Sequence, residues 1–170
     1  MKKTYKLTLT AMFVAIGTLT SHLIYIPIGF TKVFPIQHFI NVLSAVILGP
    51  GYAVLQAFSI SLFRNLMGTG SIFAFPGSII GAFLAAYFYQ KSKKIGFAFF
   101  GEVVGTGILG GLACYPIAKL LLGQEAAIFG FVPAFIISSL AGSMFGFMIL
   151  SVLLKNNAFK TLQQKQFKNL

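Results

Sequence analysis

Six apolar runs, separated by short glycine, proline or basic breaks, make up most of the chain. They cover residues 7–26, 38–48, 52–67, 73–89, 97–122 and 132–154. A helix rising ~1.5 Å per residue needs about 20 residues to cross a hydrocarbon core of about 30 Å. The first run has that length and stops at Pro27. The second is too short to cross upright, and Gly49-Pro50-Gly51 turns it sharply into the third. Arg64 and Asn65 interrupt the last turn of the third run, and Gly68-Thr69-Gly70 follows them. The fourth run stops at Gln90-Lys91-Ser92-Lys93-Lys94, the fifth is long and glycine-rich, and a bend is expected near Pro133 in the sixth. The pattern predicts an all-α integral membrane protein. It reads as a single domain, 1–170, with six transmembrane helices and a basic tail over 155–170.

Composition supports this class. The chain is 57% hydrophobic and only 9% charged, which excludes a soluble globular domain and a disordered segment. A net charge of +11 would suggest nucleic acid in a soluble protein. Here the basic residues gather where apolar runs end, which suits anionic lipid head groups and not nucleic acid. The lone Cys114 has no partner for a disulfide or a metal site and reads as a small core residue. The N-terminal stretch has the basic-then-apolar order of a secretory signal. It lacks a small-x-small cleavage site and stays apolar to Ile28, so a retained first helix is expected.

Charge also orients the bundle. With an even number of spans, Lys2, Lys3, Lys6, Lys91, Lys93, Lys94, Lys155, Lys160, Lys165 and Lys168 share one side, leaving Lys32, Arg64 and Lys119 on the other. That asymmetry predicts both termini in the cytoplasm. Arg64 then stands ~20 Å above the inner turn at Gly51, in the outer half of the bilayer. Gln37, His38, Asn41, Tyr115, Ser138 and Ser139 fall at a similar level. An ionisable group at that depth is a candidate functional site, and irregular backbone there belongs beside a cavity or inside protein.

Gln37 and Asn41 share a helix face with His38 adjacent, offering carboxamide and imidazole hydrogen bonds without fixed charge. Such groups suit a small neutral polar ligand, although they also serve as glue between membrane helices. Arg64 has two readings: it faces a ligand, or it pairs with Glu102, the only acid inside a predicted span. Gly105, Thr106, Gly107, Gly110 and Gly111 after Glu102 signal close helix packing. Phe73, Phe75 and Tyr115 could wall a ring by stacking, Phe75 being the better placed beside Pro76-Gly77. Ala11 and Ala15 form a small-xxx-small strip for another helix. No GxxxxGK[ST], HExxH, GxSxG or paired acid occurs, so the chain carries no recognisable hydrolytic chemistry.

Taken in order, FPIQHFIN at 34–41, LGPGY at 48–52, SLFRNLMGTG at 61–70, FAFPGS at 73–78, GEVVGTGILGG at 101–111 and Tyr115-Pro116 resemble one family. They are similar to the substrate-binding S components of energy-coupling-factor (ECF) transporters, most closely the ThiW family. The resemblance implies an ECF S-component-like bundle in a prokaryotic plasma membrane. Such a subunit is not an enzyme and binds no cofactor itself. It captures a thiamine precursor, hydroxyethylthiazole, from outside. A transmembrane scaffold protein and two ABC-type ATPases, which use ATP and Mg²⁺, complete the transporter. The substrate-binding residues expected are Gln37, His38, Asn41, Arg64, Asn65, Gly68, Thr69, Gly70, Phe75, Glu102 and Tyr115. Ala11 and Ala15 match the family's AxxxA contact for the scaffold helix. A proton-coupled carrier working alone, with Glu102 and His38 as its relay, is the rival reading; a structural or channel-like membrane protein is a third.

Overall fold

The computed structural model describes residues 3–161, apart from 22, 29, 30, 124, 126, 158 and 160; at 26–28 and 31–33 it describes the backbone alone. Six helical rods form its body. They are α1 (Lys3–Ser21), α2 (Pro35–Ile47), α3 (Pro50–Leu66), α4 (Ala74–Ser92), α5 (Ile95–Leu121) and α6 (Val132–Leu153). Lys2, Lys160, Lys165, Lys168 and most of the 155–170 tail lie outside the described residues.

The first run departs from the pattern. α1 stops at Ser21 instead of 26, and a hairpin follows, β1 (Ile26–Ile28) against β2 (Thr31–Val33). The strands are antiparallel with Ile26 opposite Val33 and Ile28 opposite Thr31. Pro27 has no N–H to continue a helix, and β-branched residues flank it, so the apolar stretch extends instead of coiling. α2 starts at Pro35, earlier than residue 38, because a proline in the first helical turn wastes no hydrogen bond. The same preference places Pro50 at the start of α3 and Pro133 in the first turn of α6, where it bends nothing. Gly49 sits at φ 83°, a conformation open to glycine, and lets α2 turn straight into α3.

α2 is the centre of the molecule. Ten of its 13 residues are buried, and it packs against α1, α3, α4, α5 and α6. Beside it, Ala45, Ala53, Ala57, Ala82, Ala85 and Ala86 form a tight cluster joining α2, α3 and α4. α4 and α5 approach until their backbones touch. A Cβ on Gly105 would stand 2.7 Å from the Gly81 Cα and 3.0 Å from the Ile80 carbonyl oxygen. Small residues are what permit this approach. Outward, large apolar side chains such as Phe145, Met148 and Val152 are exposed along α6, more than a water-facing surface tolerates. By length and composition α5 and α6 can each cross a bilayer.

α5 is one rod with two changes of register. Its hydrogen-bond ladder widens to i→i+5 over Val103–Gly110 and again over Ile117–Leu121, with α-helical geometry between. The second change follows Pro116, whose missing N–H leaves a carbonyl one turn earlier without its ordinary donor.

The glycine contact gives a direct test. Gly105→Ala should lower the stability of the detergent-purified protein by about 1–3 kcal/mol, because only backbone can yield to the new methyl. Gly96→Ala, with nothing within 4 Å of the new atom, should leave it unchanged or slightly raised. Thermal unfolding of the two variants checks the contrast; equal melting temperatures would contradict the packing described.

Candidate binding site

At one end of the bundle the helix starts of α2 and α6 meet the turn after α3. The turn is built by Arg64, whose carbonyl accepts from the N–H groups of Thr69 and Gly70, both at 2.9 Å. Gly68 takes the positive φ of 69° that the reversal needs. Asn65 Nδ2 then donates to the carbonyls of Ser61 (2.8 Å) and Ser71 (3.0 Å), stapling the loop to the helix that precedes it. The loop stands over a cavity of about 840 Å³. Aromatic rings wall it: Tyr25 and Phe34 on either side of the hairpin, Phe73 ahead of α4, and Phe131 and Phe135 at the start of α6. Ser138 faces it from α6 and accepts from the Phe34 N–H at 3.1 Å, tying the hairpin's exit to that helix.

Arg64 is only 2% exposed yet lines this space. Its guanidinium carbon lies 4.2 Å from the centre of the Phe34 ring, a cation–π stack. Nη1 donates to Gln37 Oε1 at 2.6 Å and Nη2 to the Thr69 carbonyl at 3.2 Å, while Nε is buried without a partner. Since a guanidinium only donates, Gln37 must present its oxygen to it and its amide to Ser61 Oγ, 2.8 Å away. Ser61 in turn meets Ser78 Oγ at 2.8 Å.

A second cluster lies beneath the first. Glu102 is completely buried, and three groups converge on its Oε1: His38 Nδ1 at 2.9 Å, Asn41 Nδ2 at 2.9 Å and Thr106 Oγ1 at 3.0 Å. Asn41 also reaches the Ser78 carbonyl at 3.3 Å, and its Oδ1 takes a long contact from Gln56 Nε2 at 3.4 Å. Ser44 closes the chain, donating to Gln56 Oε1 at 2.6 Å. Side chains from α2, α3, α4 and α5 thus form one hydrogen-bonded spine through an otherwise apolar interior.

The residues singled out from sequence separate into three groups. Gln37, His38, Arg64, Gly68, Thr69 and Gly70 line the cavity together. Asn41 and Glu102 lie under its floor with no exposed surface, and Asn65 holds the loop. Phe75 and Tyr115 are elsewhere: Phe75 packs on Phe58 at 5.6 Å between ring centres, and the Tyr115 hydroxyl accepts from Lys119 at 3.4 Å. Between the two readings of Arg64, the carboxylate partner falls away. Glu102 pairs with His38, and no Arg64–carboxylate contact occurs among the described residues. Ser139 is buried and bonds the Ile136 carbonyl, so of the two serines only Ser138 reaches the cavity. Sequence reasoning missed Tyr25, Phe34, Ser71, Phe131, Ala134 and Phe135. Tyr25 and Phe34 flank the proline-interrupted stretch that becomes the hairpin, and that position was the available signal. Ala11 and Ala15 are exposed on α1 and line a separate apolar groove of about 550 Å³ with Leu55 and Phe63 of α3.

The family described as thiamine-precursor transporter protein (ThiW) matches residues 7–156, nearly the whole chain. The chain belongs to the ThiW family. Among curated proteins, none matches it. Membership makes this a transport protein for a small molecule in a membrane context, with a non-enzymatic role. The apolar flanks of α5 and α6 agree with that setting.

Within this ThiW bundle, Asn41 is a structural residue by placement, and its loss has a defined consequence. Asn41→Ala should destabilise the ligand-free protein by about 1–3 kcal/mol, since Glu102 and the Ser78 carbonyl lose a donor inside the protein. Arg64→Met should cost less stability and chiefly empty one wall of the cavity. Thermal unfolding in detergent would show the order; a larger loss for Arg64→Met would reverse the assignment of floor and wall.

Proposed function

We propose that the chain is the substrate-capture subunit of an ECF-type importer and that its substrate is the thiazole precursor of thiamine, hydroxyethylthiazole. The observation that carries the ligand reading is the charge of the cavity. Arg64 is the one charged side chain on its described lining, and Glu102 is engaged beneath it by His38, Asn41 and Thr106. A unit positive charge on a ligand held ~7 Å from the guanidinium would meet repulsion on the order of 2 kcal/mol at an effective dielectric of ~20. That favours a neutral ring over cationic thiamine by about thirty-fold. The aromatic walls supply flat apolar surface for such a ring, and the Arg64 donors supply a partner for its polar substituent.

The remaining parts of the proposal concern assembly. The six apolar runs support six spans, the distribution of lysines supports both termini in the cytoplasm, and the family resemblance implies a prokaryotic plasma membrane. The chain has no phosphate-binding loop, so the ATP and Mg²⁺ would be handled by two ABC-type ATPases, joined through a transmembrane scaffold protein. The exposed Ala11 and Ala15 beside an apolar groove support docking of a scaffold helix there. One observation favours a second reading, the carrier working alone: His38 and Glu102 are in direct contact at 2.9 Å and could pass a proton.

Purified protein should bind hydroxyethylthiazole saturably and thiamine at least ten-fold more weakly. Uptake into cells should require the ATPase partners and be abolished by Ala11→Trp or Ala15→Trp, with binding by those variants intact. Uptake driven by a proton gradient without partners would replace this reading with the second.

A further inference from the structure

The polar spine constrains a proton that no hydrogen position needs to be seen to locate. The Ser78 carbonyl can only accept, so the Asn41 atom 3.3 Å from it is the amide nitrogen. Gln56 agrees, because its Oε1 takes the Ser44 hydroxyl and its Nε2 is left to face Asn41 Oδ1. Asn41 therefore donates to Glu102 Oε1, while the single Thr106 hydroxyl hydrogen has two acceptors at 3.0 Å, that oxygen and the Gly77 carbonyl. The other carboxylate oxygen, Oε2, is buried without a polar partner. It lies against Gly81, where a Cβ would come within 2.8 Å of it. A proton on Oε2 would be a buried donor with nothing to bond, and one on Oε1 would weaken the acceptor that Asn41 requires. Glu102 is thus an acceptor, and His38 Nδ1, 2.9 Å away, is the donor to it.

A neutral imidazole carries one N–H. With that hydrogen at Nδ1, Nε2 keeps its lone pair. His38 lines the cavity, and Nε2 has no partner among the described residues. From this we infer that Glu102 is a positioning residue that fixes the His38 tautomer, so that His38 offers the cavity an acceptor and selects ligands carrying an O–H or N–H donor. The inference rests on the cavity being the ligand site, as proposed above. Arg64 and His38 then differ in sense: one wall group gives hydrogen bonds and its neighbour takes one. A hydroxyl group, which can accept and donate at once, fits that pair; an ether or an alkyl group does not.

The test has two arms. In the first, ¹⁵N NMR of purified, ligand-free protein labelled at histidine should show His38 with hydrogen at Nδ1 and a bare Nε2. The His38→Gln spectrum assigns the signal, and if that variant does not fold, His22→Gln leaves His38 as the single histidine. Glu102→Gln should let the second tautomer gain population. A wild-type His38 protonated at Nε2, as the other tautomer or as imidazolium, overturns the inference. In the second arm, hydroxyethylthiazole is compared with its methyl ether, which keeps the ring and the acceptor but loses the donor. The ether should bind wild-type protein at least ten-fold more weakly, and His38→Leu should erase most of that difference. Equal binding of the two by wild-type protein overturns the donor requirement. Binding of neither compound overturns the substrate proposed above, and the ¹⁵N spectrum then decides the tautomer by itself.

Discussion

A carboxylate buried among helices has to be surrounded by donors, and most of the interior is arranged around that requirement. Glu102 has no exposed surface, and the side chains of His38, Asn41 and Thr106 converge on one of its oxygens. Leaving a buried charge unpaired costs several kcal/mol, so the groups around it are held in turn. Asn41 is steadied by Ser78 and Gln56, Gln56 by Ser44, and Thr106 reaches the Gly77 carbonyl at 3.0 Å. The short, central α2 exists in this setting: it supplies Gln37, His38, Asn41 and Ser44 from one buried face.

The same requirement explains the glycines. Thr106 and Glu102 can reach α2 and α4 only if α4 and α5 come closer than side chains ordinarily allow. Gly81 is where that is decided, since a Cβ there would collide with Thr106 Oγ1 and crowd Glu102. The widened register over Val103–Gly110 lies along this contact. Above the spine, Gln37 hands the network to Arg64, and the cavity begins where the last buried partner ends. The floor is tied together by hydrogen bonds between four helices, with Glu102 Oε2 left without a partner. The wall is available because Arg64 and His38 each retain unused hydrogen-bonding capacity.

Polar residues inside apolar runs are conspicuous, and for that reason Gln37, His38, Arg64 and the Gly68-Thr69-Gly70 turn were legible in the sequence, as was the order of the helical segments. The hairpin was not, because Tyr25 to Phe34 is largely apolar, and its breaks at Pro27, Gly29, Thr31 and Lys32 read equally well as a loop between helices. Tyr115 was misplaced for a physical reason. Counting at ~100° and ~1.5 Å per residue assumes an α-helix throughout, and the i→i+5 register upstream of Tyr115 turns and raises the chain differently. Phe131 and Phe135 were indistinguishable from lipid-facing rings, since nothing in 20 phenylalanines marks which side of a helix is enclosed. Glu102 was recognised as exceptional, but its partner depended on which residues α2 brings to its level, and spacing along α3 and α5 alone could not choose between His38 and Arg64.

The central claim is that the space between the 64–74 turn, the start of α2 and the start of α6 is where the ligand sits. The chain has no tryptophan, so a single introduced indole reports without background. Phe131→Trp places the probe on the cavity wall, and Phe75→Trp places it outside, on the Phe58 side. Titrating hydroxyethylthiazole into each purified variant should change the fluorescence of Phe131→Trp saturably and leave that of Phe75→Trp flat. A saturable change at Phe75→Trp with none at Phe131→Trp would contradict the account.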